Sequence, residues 1–262
     1  IGAGGGSVLD SAKMIKLLIT NNPKTALTQP MEDNAIGFFA IPTTSGTGSE
    51  ATRYSIFYVN DVEKHSITHS GFLPDLVLLD ESFLTTVPPY QRRCTAMDAL
   101  CHAIESYWNV KSNAESKEYA ARAIKLFVQN KLGYIVNEPQ ASRGMLLPSY
   151  YAHGHSVAVN LAEIWDYMNH NNSAVNDKRG REYVLKTLDE LGVMLGAENS
   201  AGGAAAFRAL VDEFSLDSPH AEKSLVEGFA ASVNPDRLLN NPTTLSSADV
   251  EKIYKRVFKI NE

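Results

Sequence analysis

The chain has 262 residues, of which 44% are hydrophobic, so it can bury a core large enough for one large or two ordinary domains. Its net charge of −6 argues against nucleic acid or an anionic membrane as a partner, because both favour a basic surface. No apolar run reaches the length of a membrane span and no signal-peptide pattern opens the chain, so we expect no membrane contact.

The first predicted helix covers residues 7–20. Val8, Ala12, Ile15 and Ile19 recur there at helical spacing and form an apolar stripe, which Leu9 and Leu18 widen. The glycines before this helix are typical of a turn that follows a strand, yet only one or two residues precede them. We therefore expect that the natural chain begins earlier.

Short strands follow the first helix. Apolar runs predict buried strands at residues 38–41 and 76–79, and imperfect alternation predicts a hairpin of residues 53–58 and 64–68. The threonine-, serine- and glycine-rich stretch after residue 41 is predicted as a loop.

From residue 88 onward the sequence contains no further convincing strand. Ser246 and Asp249 have the spacing of a capping box at the start of the last predicted helix. The helical pattern covers residues 90–108, 115–131, 142–151, 154–168, 181–195, 203–214, 221–231 and 248–258. We therefore predict an α/β domain, residues 1–87, followed by an all-α domain, residues 88–262.

The two cysteines, Cys94 and Cys101, both fall on the predicted helix of residues 90–108. Two helical turns separate them by roughly 10 Å, which is too far for a disulfide. We therefore expect reduced thiols and a cytoplasmic location.

Two stretches carry groups that suit a phosphate. Glycines 4–6 let a backbone approach a ligand closely, and a helix beginning near Ser7 would point free N–H groups at it. The same glycines also suit a plain tight turn. Residues 43–52 add several hydroxyl donors and two more glycines.

Asp98 and His102 stand four residues apart, so on a helix they share one face. A carboxylate and an imidazole in that arrangement can bind one divalent cation. A capping or surface aspartate beside a partly buried histidine is the alternative that spacing alone leaves open.

The three stretches together resemble a known family. Residues 4–13 read GGGSxxDxxK, residues 42–50 read PTTSGTGSE, and residues 98–105 read DALxHAIE. In this order they are similar to the iron-containing alcohol dehydrogenases. The resemblance implies a Rossmann-like dinucleotide-binding domain, truncated at its N-terminus, followed by a helical metal-binding domain.

The resemblance also implies a site for NAD or NADP, and the sequence does not choose between them. The first loop would hold the pyrophosphate, the threonine-rich loop would follow the phosphates and ribose, and Lys64 would reach the nicotinamide ribose. For Lys64 a solvated strand lysine is the alternative. The implied cofactor residues are Gly4, Gly5, Gly6, Ser7, Asp10, Thr43, Thr44, Thr47, Ser49, Thr52 and Lys64.

The implied metal ligands are Asp98, His102 and His153, with Fe²⁺ expected and Zn²⁺ also suited to this oxygen and nitrogen set. The family carries a further helix with another histidine ligand before the histidine that His153 matches. Here Ala152 runs directly into His153. We therefore expect that the natural chain has additional residues both before residue 1 and between Ala152 and His153.

The resemblance implies hydride transfer between NAD(P)H and a small aldehyde, with oxidation of a primary alcohol as the reverse reaction. A glycerol- or polyol-type dehydrogenase and a catalytically inactive binding or assembly subunit are the alternatives. A phosphate-binding hydrolase is disfavoured, because the chain has no P-loop lysine and no nucleophile elbow. The sequence leaves the oligomeric state open, including a homo-oligomer.

The wording around the threonine-rich loop is most similar to the branch that includes phosphonoacetaldehyde reductases. A phosphonate needs a cationic seat, and the planar fork of an arginine can bind two of its oxygens. Arg53 is the candidate for that role. Pairing of Arg53 with an acid on the hairpin is the alternative.

Overall fold

The structure is a computed structural model that describes residues 1–26, 29–59, 63–146, 155–216, 223–233 and 235–260. It contains two compact units, one of residues 1–99 with 129–153 and the other of residues 100–128 with 154–262. The sequence predicted two continuous domains that meet at residues 87/88. In the structure each unit instead consists of two separate stretches of the chain. Among the described helices none is long and apolar enough to cross a membrane.

The first unit is built around a small parallel sheet. Its strands are β1 (Gly2–Gly4), β2 (Phe39–Pro42) and the later β5 (Leu76–Val77), in the order β1-β2-β5. Gly2 pairs with Ala40, and Phe39 pairs with Leu76. Strands are thus present at both predicted positions, and β1 is longer than the one or two residues expected. The prediction that residues 76–79 are buried was wrong: β5 has two residues, lies at the edge of this sheet, and leaves Leu76 and Leu78 56% and 48% exposed.

Helix α1 (Gly6–Leu18) follows β1, as predicted, but it buries a different face from the predicted apolar stripe. Val8, Ile15 and Ile19 are 48%, 60% and 63% exposed, whereas Leu9 and Leu17 are fully buried. Two lysines, Lys13 and Lys16, are buried with them. The hydrogen-bond partners of Lys13 and Lys16, described below, stabilise the burial of this face. The spacing of hydrophobic residues in the sequence cannot predict such partners.

The predicted hairpin consists of β3 (Tyr54–Val59) and β4 (Glu63–Thr68), which pair antiparallel from Tyr54 with Thr68 to Val59 with Glu63. Its predicted turn at residues 60–61 lies outside the described residues. Short 3₁₀ turns at Ser49–Ala51 and Ser70–Phe72 connect one strand to the next, and a third at Glu81–Thr86 connects the last strand to the helix that follows.

Three helices follow the sheet: α2 (Pro89–Trp108), α3 (Ala114–Ile135) and α4 (Pro139–Leu146). Helices α2 and α3 each contribute residues to both units. The predicted helix at residues 142–151 begins earlier than expected, and residues 147–151 lie outside the described part of the chain. Both cysteines on α2 are buried free thiols, as predicted.

The rest of the second unit is helical, as the sequence predicts. The Ser246 hydroxyl accepts a hydrogen bond from the Asp249 N–H, and the Asp249 carboxylate accepts one from the Ser246 N–H. The predicted capping box is therefore present. The four-residue helix α9 was not predicted. The helices are α5 (His155–His170), α6 (Arg181–Met194), α7 (Ser200–Glu213), α8 (Lys223–Ser232), α9 (Pro235–Leu238) and α10 (Ser247–Val257).

Aromatic rings fill the core of the second unit. Trp165 on α5 is fully buried, meets Trp108 edge-on at 5.7 Å and lies 6.4 Å from Phe207. The indole N–H of Trp165 donates to Ser200 Oγ at 2.9 Å, so its polar edge is satisfied. These contacts fasten α5 to α2 and α7.

Candidate functional site

The two loops predicted to bind a dinucleotide leave the sheet side by side. Gly4 ends β1, Pro42 ends β2, and these two residues are register partners. Beyond them, the Thr43 N–H donates to the Gly4 carbonyl at 3.0 Å. Ligands of parallel α/β sheets bind in the crevice outside the carboxyl ends of the strands, which is where both loops begin.

The glycine loop delivers the N-terminus of α1 to this crevice. Gly5 is the N-cap residue, and it makes no side-chain cap hydrogen bond. The first turn of α1 carries no acidic residue. The positive end of the helix dipole is therefore not neutralised by its own side chains, as an anion-binding helix start requires.

The glycines keep the two loops in contact. A Cβ atom on Gly6 would lie 2.8 Å from Thr47 Cγ2, so a larger residue there would displace the threonine-rich loop. A Cβ atom on Gly5 would lie 3.4 Å from Thr44 Oγ1, which is ordinary contact. Gly5 also has an extended backbone, with φ −75° and ψ −175°, that other residues adopt. Of Gly5 and Gly6, only Gly6 is required by the packing of the two loops on each other.

Thr44 faces the glycine loop with an unsatisfied hydroxyl. Its Oγ1 atom is buried and has no hydrogen-bond partner among the described residues. A buried hydroxyl left without a partner costs about 1–3 kcal/mol, so native proteins rarely leave one unless a ligand or water completes it. This atom fits a ligand oxygen bound between the two loops.

A buried lysine lies beneath the loops. Lys13 on α1 has no solvent exposure. Its Nζ atom donates to Ser49 Oγ at 2.8 Å, to Thr52 Oγ1 at 3.2 Å and to the Tyr54 carbonyl at 2.6 Å. Burial lowers the pKa of Lys13 below its usual value, and nearby carboxylates, mainly that of Asp10, offset part of the decrease.

Asp10 completes this polar network. One carboxylate oxygen accepts from Ser49 Oγ at 2.5 Å and lies 3.4 Å from Lys13 Nζ. The other accepts from the Ile56 N–H at 3.0 Å. We call Asp10, Lys13, Ser49 and Thr52 the Lys13 network. It ties α1 to the end of the threonine-rich loop and to β3.

The network bears on the predicted cofactor residues. Asp10, Ser49 and Thr52 were predicted to bind the cofactor, and here their side chains bond to one another and to Lys13. Gly5 and Thr44 instead face the space between the loops. The roles of all these residues toward a cofactor stay predictions. The geometry nevertheless divides them into residues that hold the loop in place, namely Asp10, Ser49 and Thr52, and residues that can contact a ligand, namely Gly5 and Thr44.

The threonine-rich loop is also fixed from its other side. Ser45 is fully buried and its hydroxyl donates to the Tyr134 hydroxyl at 2.7 Å. A Cβ atom on Gly46 would lie 2.5 Å from the Thr95 carbonyl oxygen, so α2 packs directly on the loop. Arg92 lies over the Tyr134 ring at 5.0 Å.

Sequence reasoning missed Lys13, Ser45 and Tyr134 as parts of the site. Lys13 lies within the quoted GGGSxxDxxK pattern, and that motif was the one available signal. Tyr134 is remote in sequence, and nothing in the pattern around it marks it.

Two other predicted residues of the first unit, Ser7 and Arg53, are exposed to solvent. Ser7 is exposed on the first turn of α1. Lys64 lies on β4 opposite Tyr58, and its side chain is outside the described part of the structure. Arg53 is exposed, and among the described residues its guanidinium has no acidic partner. The alternative for Arg53, pairing with an acid on the hairpin, is therefore not seen in the described hairpin.

The predicted metal ligands Asp98 and His102 both lie on α2. Their spacing places them on one face of the helix. Asp98 is 3% exposed and His102 is partly buried. His153 lies outside the described residues.

Within the described residues no group of three histidine, cysteine, aspartate or glutamate side chains could hold a metal ion. Asp98 and His102 are thus two of the ligands that such a site needs. A carboxylate oxygen and an imidazole nitrogen are ligands that Fe²⁺ and Zn²⁺ both accept, so the donor chemistry fits the implied metal. The third ligand stays a prediction.

Two family profiles match the chain. The profile described as iron-containing alcohol dehydrogenase matches residues 1–81. The profile described as the C-terminal part of the Fe-containing alcohol dehydrogenase family matches residues 93–177. These matches contain the glycine loop, the threonine-rich loop, Asp98, His102 and His153.

Curated relatives agree with the profiles. The long-chain-alcohol dehydrogenase 1 of Geobacillus thermodenitrificans is 25% identical over 307 residues, covering 98% of this chain and 74% of that protein. Because that alignment is longer than 262 residues, the relative carries segments that this chain lacks. The probable alcohol dehydrogenase EutG of Escherichia coli is 34% identical over 60% of this chain, which is 37% of that protein.

Solved structures share the fold. An iron-containing alcohol dehydrogenase from Thermotoga maritima superposes with a TM-score of 0.82 at 22% identity, covering 99% of this chain and 75% of that one. The sulfoacetaldehyde reductase of Bifidobacterium kashiwanohense, solved in complex with NAD⁺, gives 0.82 at 19% identity, covering 99% and 76%. The predicted fold class, an α/β part followed by an all-α part, is thereby confirmed.

Proposed function

Because the chain belongs to the iron-containing alcohol dehydrogenase family, we propose that it transfers hydride between a nicotinamide dinucleotide and a small aldehyde or primary alcohol. Membership in this family makes it an oxidoreductase and confirms the predicted family, whereas the phosphonoacetaldehyde reductase branch stays a prediction. The unsatisfied Thr44 hydroxyl between the two loops is the observation in this chain that best supports the cofactor part of the proposal.

In the proposed site the pyrophosphate lies against the start of α1. Gly5 and the N–H groups of the first turn face it, and Thr44 donates to one of its oxygens. The Lys13 network does not touch the cofactor; it holds the threonine-rich loop at the distance at which both loops can bind one ligand. Such pre-ordering lowers the conformational cost of binding.

The proposed metal ligands are Asp98, His102 and His153. When bound, Fe²⁺ or Zn²⁺ supplies Lewis acidity toward the substrate oxygen, and the nicotinamide supplies or accepts the hydride. Asp98 contributes negative charge that compensates the cation, and His102 contributes a neutral nitrogen donor. The family name specifies iron. Among relatives, one is described as an NADPH-dependent butanol dehydrogenase, and one neighbour was solved with NAD⁺.

Turnover and metal content test the proposal together. The chain, loaded with Fe²⁺ or Zn²⁺ under anaerobic conditions, is expected to reduce butanal with NADH or NADPH. Asp98→Ala and His102→Ala are expected to lose most of the bound metal and nearly all turnover, by more than the roughly 10–100-fold typical of losing an outer-shell partner. His170→Ala is the matched control, because His170 is exposed at the end of α5 and, within the described part of the chain, its imidazole bonds only the Asp166 carbonyl of the same helix.

Full metal occupancy in His102→Ala, measured by elemental analysis, contradicts the ligand assignment. A wild-type chain that binds metal and dinucleotide but turns over no aldehyde or alcohol supports the inactive binding subunit instead. A strong preference for glycerol over primary alcohols supports the polyol-type alternative.

For the finer substrate we propose an anionic aldehyde such as phosphonoacetaldehyde, held by Arg53. The exposed Arg53 guanidinium, with no described acidic partner, supports this role. A charge-assisted contact contributes about 1.5–3 kcal/mol, so Arg53→Ala should lower kcat/KM for phosphonoacetaldehyde about 10–150-fold. Butanal should be nearly unaffected, and Lys24→Ala is the control for loss of an exposed cation. Equal losses on both substrates contradict the assignment.

The two free, buried cysteines, Cys94 and Cys101, support a cytoplasmic location as part of this proposal.

A further inference from the structure

A cavity of about 310 Å³ lies within the second unit, between α2, α5, α10 and the segment that joins α8 to α10. Seven of its lining side chains are aliphatic, among them Val157, Ile164 and Ile253. Small-molecule sites typically have roughly 300–1,000 Å³ and mostly apolar walls with a few polar groups. The cavity is at the small end of that range.

Glu105 is the one charged residue among the described residues that line this cavity. Within the described part of the chain, its carboxyl group has no ion pair and no side-chain hydrogen bond. Burial raises the pKa of Glu105 to about 7, because an ionised carboxylate is poorly solvated against aliphatic walls. Asn160 and Tyr254 are the other polar residues of the lining.

The cavity is accessible from solvent. Of its lining residues, Val250 and Ile253 are buried, whereas Glu105, Val157 and Ile164 each keep part of their exposure. A small ligand can therefore reach Glu105 without unfolding of the helices.

We propose that this cavity binds a primary alkylammonium ion, with the ammonium group on the Glu105 carboxylate and the alkyl chain against the aliphatic walls. The ammonium group supplies the positive charge that the described surroundings of Glu105 lack, and a charge-assisted hydrogen bond is about twice as strong as a neutral one. The walls bury the methylene groups of the ligand. An alcohol of equal length lacks the charge, and a carboxylate of equal length is repelled.

This site is separate in chemistry from the proposed metal site, although Glu105 lies on the same helix as Asp98 and His102. An amine could also coordinate a metal ion bound by those two residues. Titrations of the full chain are therefore made both as isolated and after removal of metal with EDTA.

The test is calorimetric titration with n-hexylamine, 1-hexanol and hexanoate at pH 8. We expect hexylamine to bind at least about 10-fold more tightly than hexanol, the difference that one charge-assisted bond provides. Hexanoate should bind more weakly than hexanol. Removal of metal should leave the hexylamine affinity unchanged.

Glu105→Gln keeps the shape of the side chain and is expected to bind hexylamine no better than hexanol, with circular dichroism confirming the fold. Glu115→Gln removes an exposed carboxylate of α3 and should bind hexylamine like the wild type. Val157→Phe, which narrows the cavity, should weaken both hexylamine and hexanol.

Any one of several results overturns the proposal: no saturable binding of hexylamine, equal affinities for hexylamine and hexanol, tighter binding of hexanoate, or an unchanged hexylamine affinity in Glu105→Gln or Val157→Phe. Loss of hexylamine binding after EDTA assigns the amine to the metal instead and also overturns it. None of these results depends on dinucleotide binding or turnover.

Discussion

Lys13 in the first unit is a fully buried ionisable side chain and Glu105 in the second is a partly buried one, and their surroundings differ. Lys13 Nζ has oxygen acceptors from Ser49, Thr52 and Tyr54 and a carboxylate of Asp10 within 3.4 Å. Glu105 faces aliphatic walls, and its pKa rises to about 7. The contrast indicates two roles. Lys13, with its polar partners, holds neighbouring segments of the first unit together, whereas Glu105, without described partners, is suited to bind a ligand of opposite charge.

The largest effect is expected at Lys13. Lys13→Met keeps the length of the side chain but leaves the Asp10 carboxylate without its cation and Ser49 and Thr52 without their donor. Breaking a buried pair by removing one partner costs about 3–5 kcal/mol. Urea unfolding should show a loss of that size, together with weaker dinucleotide binding because the threonine-rich loop loses its support.

Lys24→Met is the matched control, since Lys24 is exposed in the same unit. It should change the free energy of unfolding by no more than about 0.5 kcal/mol. A Lys13→Met variant as stable as this control would mean that the Lys13 network does not hold the loops.

Glu105→Gln is expected to have the opposite sign. The pKa of Glu105 is raised from 4.5 to about 7 in the folded state, so between these values the folded chain binds more protons than the unfolded chain. Stability contributed by this group is therefore lost as pH rises from 4.5 to about 7 and stays lost above it. Glutamine cannot ionise, so the variant should be more stable than the wild type at pH 8, by at most about 3 kcal/mol.

Urea unfolding of both proteins at pH 5 and pH 8 measures this effect. The advantage of Glu105→Gln should be small at pH 5 and largest at pH 8. An advantage that does not change with pH would show that the Glu105 carboxyl titrates normally.

The smallest effect is expected at the capping box of α10, a helix that also lines the Glu105 cavity. Ser246→Ala removes a side-chain cap from the Asp249 N–H and should cost about 1 kcal/mol. Neither the Ser246 hydroxyl nor the Asp249 N–H bonds to Glu105, so this loss of stability should be equal at pH 5 and pH 8. A pH-dependent loss would couple the cap to the cavity.

Helices α1 and α10 show how much of the fold the sequence could predict. In α10 the buried residues are Val250, Ile253 and Val257, and periodicity and capping both identify the helix correctly. In α1 the helix was predicted but its buried face was not, because most partners of the buried Lys13 and Lys16 are remote in sequence. Lys16 donates to Asp33 and to the Gly71 carbonyl, at 3.0 and 2.9 Å.

The candidate site, like the helices, was predicted from the sequence only in part. The glycine and threonine motifs identified the two loops. Phosphate binding requires close approach of the backbone, which glycines permit, and clustered glycines and hydroxyl residues are visible in the local sequence. The motifs did not separate Thr44, whose hydroxyl faces the glycine loop, from Ser49 and Thr52, whose hydroxyls are engaged by Lys13. That distinction depends on tertiary hydrogen bonds, which sequence spacing does not encode.

The central claim, that the two loops hold a nicotinamide dinucleotide, is tested most directly by fluorescence titration of NADH and NADPH with Gly5→Val. The Gly5 backbone is extended and its Cβ position is in ordinary contact with Thr44, so the variant should unfold at the same urea concentration as the wild type. We expect its Kd for the preferred dinucleotide to rise at least about 10-fold, because the side chain occupies the approach of the pyrophosphate. An unchanged Kd in the folded Gly5→Val protein would contradict the account.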